Sequence, residues 1–270
     1  MLWLLLLQVL ASCLWLGHSK MLSSAGCPQF FYEGTPPNEA MNPQNAAGIC
    51  QSYNNQYHFA TLYDKSMRIP VYSAYIYQPG LGQTPPSWFV EPQLITLPNN
   101  MKTEDFLEHH YTISTQQIGQ NQAISHDYTS QTDFDHGQLC PSIHQNTDDS
   151  KSATFTLTNT VPMNSTLHNG VWQEYENQMV AQEAQDCTTT YVITGAVPGN
   201  SYIADGRVNV PSHIWSAACC QTSTTMKTWA VIAENSKNEI QFLTLSELET
   251  ELSQLYGRGK VSLFHSDCPR

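Results

Sequence analysis

Seven cysteines, Cys27, Cys50, Cys140, Cys187, Cys219, Cys220 and Cys268, are spread over nearly the whole chain behind an apolar leader. That spread limits the available folds more than any other feature. The leader begins Met1-Leu2-Trp3-Leu4-Leu5-Leu6-Leu7, stays apolar to Leu16 and contains Cys13. Its run of about 15 apolar residues is too short to cross a bilayer comfortably, and no longer run follows. Residues 1–19 are therefore expected to be a secretory signal peptide and 20–270 the mature chain, secreted or in the lumen of the secretory pathway, with no transmembrane segment after cleavage. In an oxidising compartment an odd set of seven thiols predicts three disulfides and one free cysteine, with the pairing open. Cysteines so far apart staple a proper core rather than knot a small scaffold, and 270 residues can bury one. No Cys-x-x-Cys spacing occurs, which argues against a structural zinc site.

Alternation of apolar and polar residues over 50–63 and 67–77 reads as strands. The run Pro70-Val71-Tyr72-Ser73-Ala74-Tyr75-Ile76-Tyr77 is rich in β-branched and aromatic side chains. Residues 153–159 read as a further strand with Phe155 and Leu157 on one face, and 191–195, 208–219 and 228–233 as three more. A helix is expected from about His168 or Asn169 to Gln185. Another opens at Ser246 with Glu249 as its capping-box partner, carries Leu248, Leu252 and Leu255 as its apolar stripe, and stops at Gly257. Prolines make 27–45 an ordered loop and 78–100 an excursion, while 101–133 is polar and without readable period. Strands outnumber helices, and the helices fall between or after them. The expected class is α+β: a single mixed domain with a central, mainly antiparallel sheet and flanking helices.

Chemistry-bearing residues concentrate in Phe134-Asp135-His136-Gly137-Gln138-Leu139-Cys140-Pro141 and in residues 154–176, TFTLTNTVPMNSTLHNGVWQEYE. With 23 acidic and 11 basic side chains the net charge is −12. Long-range repulsion counts against tight, non-specific binding of a polyanion and fits a protein partner better. A phosphodiester held through a metal ion and a few local cations is not excluded by that charge.

These stretches, with RIPVYSAY at 68–75, YVITGAVP at 191–198 and IWSAACC at 214–220, resemble the DNA/RNA non-specific endonuclease family of the ββα-metal type. The resemblance implies hydrolysis of DNA or RNA with a divalent ion, magnesium or manganese. The family's first motif is Asp-Arg-Gly-His-Leu, with Pro one residue later. Asp135 and Gly137 match it, His136 stands at the arginine, and Gln138 stands at the histidine that acts as general base. Glutamine has no useful basicity for activating water. His136 shares a strand face with Gln138 but lies about 6–7 Å away along it. The second motif is Asn-x-Gly-x-Trp with Glu four residues beyond. Gly170, Trp172 and Glu176 match, and His168 takes the place of the metal-binding asparagine. Imidazole suits manganese or zinc better than magnesium. Asn169 offers a neighbouring oxygen, but on a regular helix it sits about 10.5 Å along the axis from Glu176, which would then reach an ion only through water. The resemblance further implies Arg68 as the phosphate contact and Asn159 as the asparagine that holds the loop before the helix. Asn164-Ser165-Thr166 is the chain's only N-glycosylation sequon. Two readings follow: a divalent-ion nuclease, or a degenerate, non-catalytic secreted binding protein on the same fold that needs no cofactor.

Overall fold

The computed structural model describes residues 26–95, 97, 100–129 and 133–270, so the expected leader, residues 1–19, lies outside the described residues. Three single-turn 3-10 segments, Pro28–Phe30, Tyr32–Gly34 and Glu39–Met41, lead into a meander of β1 (Ala46–Tyr53), β2 (Gln56–Asp64) and β3 (Ile69–Ile76). The β1–β2 turn places Asn54 and Asn55 at φ 49° and 63°, the left-handed pair that a two-residue hairpin turn demands. Later come β4 (Phe134–Gln138), β5 (Thr160–Asn164), β6 (Thr189–Val197), β7 (Ser201–Ile203), β8 (Val208–Val210), β9 (His213–Gln221), β10 (Met226–Glu234) and β11 (Gln241–Leu243). Seven of these make one antiparallel sheet in the order β1-β2-β3-β6-β9-β10-β11, and β4–β5 and β7–β8 are separate hairpins. The expected α+β class with a mainly antiparallel sheet is what the chain adopts.

The sheet is buried on both faces. Adjacent residues alternate between two apolar clusters: Phe59, Tyr75, Val192, Ala218 and Val231 on one side, Ala60, Ala74, Ile193, Ala217 and Ala230 on the other. This alternation sends the neighbouring Cys219 and Cys220 in opposite directions, to Cys268 and Cys187 respectively. With Cys27–Cys50 there are three disulfides, and Cys140 is the free, buried thiol among the described residues. No helix among the described residues is long and apolar enough to cross a membrane.

Four local expectations are corrected. Residues 153–159 are not a strand: α4 (Asp148–Ala153) ends there and Leu157–Asn159 is a 3-10 turn, with the true strand, β5, starting at Thr160. Thr154, Thr156 and Thr158 mimic the alternation of a strand, but all three are buried with their hydroxyls hydrogen-bonded, Thr154 to the Lys151 carbonyl and Thr156 to Thr158, which also accepts from Gln51 of β1. Residues 208–219 break into β8 and β9 around Pro211, which has no N–H for the ladder. The C-terminal helix, α7 (Leu245–Tyr256), is capped two residues earlier than expected, by Thr244 with Glu247. Glu249 instead is buried and receives Arg270 and the Leu263 amide. Gly257 does stop the helix, at φ 63°. Lastly, the unpatterned polar region holds α1 (Glu104–Tyr111), α2 (Thr115–Ile118) and α3 (His126–Thr129), the first two opened by Thr103 and Ser114 side-chain caps.

Candidate functional site

The β4–β5 hairpin packs on the face of the sheet opposite α7, with Asp135 across from Met163 and Gln138 across from Thr160. Gly137 is required there: a Cβ would stand 2.7 Å from Met163 Cβ and Cε. From β5 the chain turns into a helix whose first amides, Thr166 and Leu167, donate to Asn164 Oδ1 at 3.0 and 3.4 Å. This helix starts as α5 (Ser165–Leu167), passes through two π-helical turns, His168–Trp172 and Tyr175–Met179, and ends as α6 (Val180–Glu183). Its irregularity begins at Gly170 (φ −106°, ψ −123°), where the Asn238 side chain presses so closely that a Cβ would lie 2.2 Å from it. Asn238 Oδ1 accepts the Val171 amide released by the break.

His168 and Asn169, at the start of this helix, both reach Asp135. Asp135 Oδ2 accepts from His168 Nδ1 at 3.1 Å and from Asn169 Nδ2 at 2.6 Å, while Oδ1 accepts from Ser165 Oγ at 3.0 Å. Burial raises the Asp135 pKa, but these hydrogen bonds and the nearby His168 outweigh it and hold the carboxyl below its ordinary value. Asn169 Nδ2 also donates to the Ser165 carbonyl at 2.9 Å.

Gln138 and His136 lie on the other side of the hairpin strand. Gln138 Nε2 donates to Thr154 O at 2.9 Å and to Thr154 Oγ1 at 3.2 Å. The His136 ring is sandwiched between Trp88 and Tyr128, at 4.5 and 4.4 Å between centroids and 14° and 22° between planes, and Trp88 in turn meets Phe155. Burial in this stack, against the opposing pull of Asp135, takes the His136 pKa down to about 4. A stacked ring of such low basicity is a neutral aromatic at physiological pH.

Asn159 is fully buried beneath the hairpin. Its Oδ1 accepts from Ser73 Oγ (2.8 Å) and the Cys140 amide (2.9 Å), and its Nδ2 donates to Cys140 O and Thr154 O, both at 3.0 Å. Asn159 and Gln138 therefore grip the same Thr154 carbonyl.

The remaining sequence candidates are not gathered at Asp135. Glu176 engages the Trp172 indole, which donates to Oε1 at 2.9 Å, and burial pushes its pKa up to about 8, so the carboxyl is largely neutral at pH 7. Its backbone carbonyl meets His144 Nε2, whose ring also meets the Tyr75 hydroxyl. Of the expected metal ligands, His168 and Asn169 thus meet at Asp135, while the Glu176 carboxyl is bonded to Trp172. Among the described residues no three His, Cys, Asp or Glu side chains gather as a metal-binding group. Arg68 sits in the β2–β3 turn at φ 55°, and its guanidinium donates to the carbonyls of Gly119, Arg207 and Gln120. Burial and the adjacent Arg207 lower its pKa. Sequence reasoning missed Trp88, Tyr128, Thr154 and Ser165. Trp88 lies in a proline-rich excursion and Tyr128 in an unpatterned polar stretch, so only the stacking on His136 reveals them.

Residues 36–257 match the family described as DNA/RNA non-specific endonuclease. The human and mouse endonuclease domain-containing 1 proteins are 36% and 33% identical over 198 residues, covering 72% of this chain. The chain spans 38% of the length of either relative. A chain of the crystal structure titled "Crystal structure of the EndoG/EndoGI complex: Mechanism of EndoG inhibition" superposes with a TM-score of 0.55 at 14% identity, over 93% of this chain and 95% of that one. This last likeness is one of fold. The matched region contains the sheet, the hairpin and the irregular helix, and the chain belongs to the DNA/RNA non-specific endonuclease family.

Proposed function

We propose that this chain keeps the nuclease fold as a secreted or luminal binding protein and has lost the hydrolytic step. The observation that carries this reading is Gln138: the residue at the family's general-base position spends its amide on Thr154. Hydrolysis of a phosphodiester needs a group that takes the proton of the attacking water with a pKa near the working pH. An amide cannot do so, and His136, with a pKa of about 4 and both ring faces covered, is a poor substitute. His136 also supplies no positive charge where the family has arginine, and the Arg68 guanidinium is bound to three carbonyls instead of standing free for a phosphate. Loss of cations at the cleft weakens a polyanion's hold more than loss of any single hydrogen bond, since counterion release dominates that affinity. With a net charge of −12, a protein surface is the better partner.

In the same reading residues 1–19 are the leader and 20–270 the endonuclease-like domain. Asn159 is the loop support, and Asn164 is the glycan acceptor. Asn164 caps the helix through Oδ1, and its Nδ2, the atom a glycan modifies, makes no hydrogen bond among the described residues. The test is a cleavage assay of the purified chain on single- and double-stranded DNA and RNA at high protein concentration, with magnesium and then manganese. All substrates should remain intact. Cleavage that co-purifies with the chain would refute the reading and favour divalent-ion-dependent hydrolysis of DNA or RNA.

A further inference from the structure

We infer that the Asp135 corner is a hydrogen-bonded clasp that closes the family's divalent-ion position instead of forming it. Asp135 is the carboxylate on which Ser165, His168 and Asn169 converge, and a carboxylate offers about four lone-pair positions. Three are occupied, by Ser165 Oγ, His168 Nδ1 and Asn169 Nδ2. The orientation of Asn169 decides the matter. Rotating its amide by half a turn would bring Oδ1 to Asp135 and produce a pair of oxygens suited to a hard cation. That rotation is blocked, because the same nitrogen also faces the Ser165 carbonyl at 2.9 Å. A carbonyl only accepts, so a rotated Oδ1 would meet two acceptors, Asp135 Oδ2 and Ser165 O, with no proton to share. The NH2 group therefore points its positive end at Asp135 Oδ2 and repels a cation from that oxygen.

His168 closes the second approach. With Nδ1 donating to Asp135, its lone pair is on Nε2, on the far side of the ring from the carboxylate. Magnesium keeps several waters and needs only one or two oxygens from the protein, but here the imidazole offers a nitrogen and three donors already crowd the carboxylate, so the corner presents no open oxygen to a hard cation. Glu176, which could add an oxygen through water, has Oε1 bonded to the Trp172 indole. The positive role left to the corner is mechanical: it ties the start of the irregular helix, through Ser165, His168 and Asn169, to the β4 strand.

Such a clasp builds on the loss of the base proposed above, and experiment separates the two. The full disulfide-bonded chain is titrated with Mn2+ alone, and the free-ion electron paramagnetic resonance amplitude is compared with buffer. Wild type should leave that amplitude unchanged at millimolar Mn2+. Asn169→Asp, which replaces the obstructing donor by an acceptor, should remove about one equivalent of Mn2+ from solution, as two carboxylates beside an imidazole would. The inference is overturned if wild type binds one Mn2+ and Asp135→Asn abolishes it, or if Asn169→Asp binds no more than wild type. Binding by wild type that survives Asp135→Asn places the ion elsewhere and supports a closed corner. Should Asp135→Asn fail to fold, paramagnetic broadening of the His168 ring protons in wild type answers the same question: broadening overturns the clasp, sharp signals uphold it. A chain that binds Mn2+ at Asp135 without cleaving overturns the clasp alone, and one that cleaves without any ion overturns the proposed function alone.

Discussion

Replacing Asn159 by alanine should be among the most damaging single changes in the chain, although the residue touches no solvent. Its four hydrogen bonds join β3 through Ser73, the strand exit through both backbone groups of Cys140, and the turn through Thr154. Two of the partners retain others after the change: Ser73 Oγ still meets Thr61 and Thr154 O still receives Gln138. The amide and carbonyl of Cys140 lose their side-chain partner in a buried site, at about 1–3 kcal/mol each. Adding a small cavity brings the expected loss to roughly 3–6 kcal/mol. In urea at an m-value of about 3 kcal/mol/M this lowers the midpoint by roughly 1–2 M, read by far-UV circular dichroism with the disulfides intact. Asn159→Asp adds a sign. A carboxylate there would face the Cys140 and Thr154 carbonyls, so its folded pKa must rise above the unfolded value. The variant's stability is then greatest below the unfolded carboxyl pKa and falls as pH rises towards the folded pKa. A loss below about 1 kcal/mol for Asn159→Ala, or no pH trend for Asn159→Asp, would refute the idea that this amide organises the site.

Three further outcomes follow from the geometry. Glu176 is raised from 4.5 to about 8 by burial, so the folded state binds the extra proton between those values and stability declines as pH climbs through that window; in Glu176→Gln the melting temperature should lose that decline between pH 5 and 8 while Trp172 keeps an acceptor. Peptide mapping without reduction should recover Cys27–Cys50, Cys187–Cys220 and Cys219–Cys268, with Cys140 alkylated only after denaturation, since it is fully buried and burial raises its thiol pKa. Trp88→Ala should uncover one face of His136 and move its pKa upward from about 4, which an NMR titration of the ring protons reads directly; an unchanged value would mean that the stack is not the source of the burial.

Much of the molecule was legible in the chain. The β-branched and aromatic runs at 70–77, 191–195 and 228–233 mark central strands because two buried faces leave no room for polar alternation, and they are β3, β6 and β10. Seven cysteines behind an apolar leader predict three bridges and one thiol, and the odd one is Cys140. What misled was local pattern with tertiary origin: threonines at 154, 156 and 158 alternate in the chain, yet each buried hydroxyl has a hydrogen-bond partner and none lies on a strand, and Ser246 looks like a cap although Glu249 is drawn inward to Arg270 and Leu263.

The sequence by itself determined the residue on which the proposed function turns, Gln138, because side-chain identity sets intrinsic basicity wherever the residue ends up. Tertiary structure alone decided what the neighbours of that residue can do. Burial between Trp88 and Tyr128, brought from segments far apart in the chain, makes His136 neutral. Asn238, from a distant loop, packs on the break at Gly170, and just before it His168 and Asn169 meet Asp135 from β4. Basicity is written in residue type, whereas desolvation and the direction in which a donor points arise only when remote segments meet.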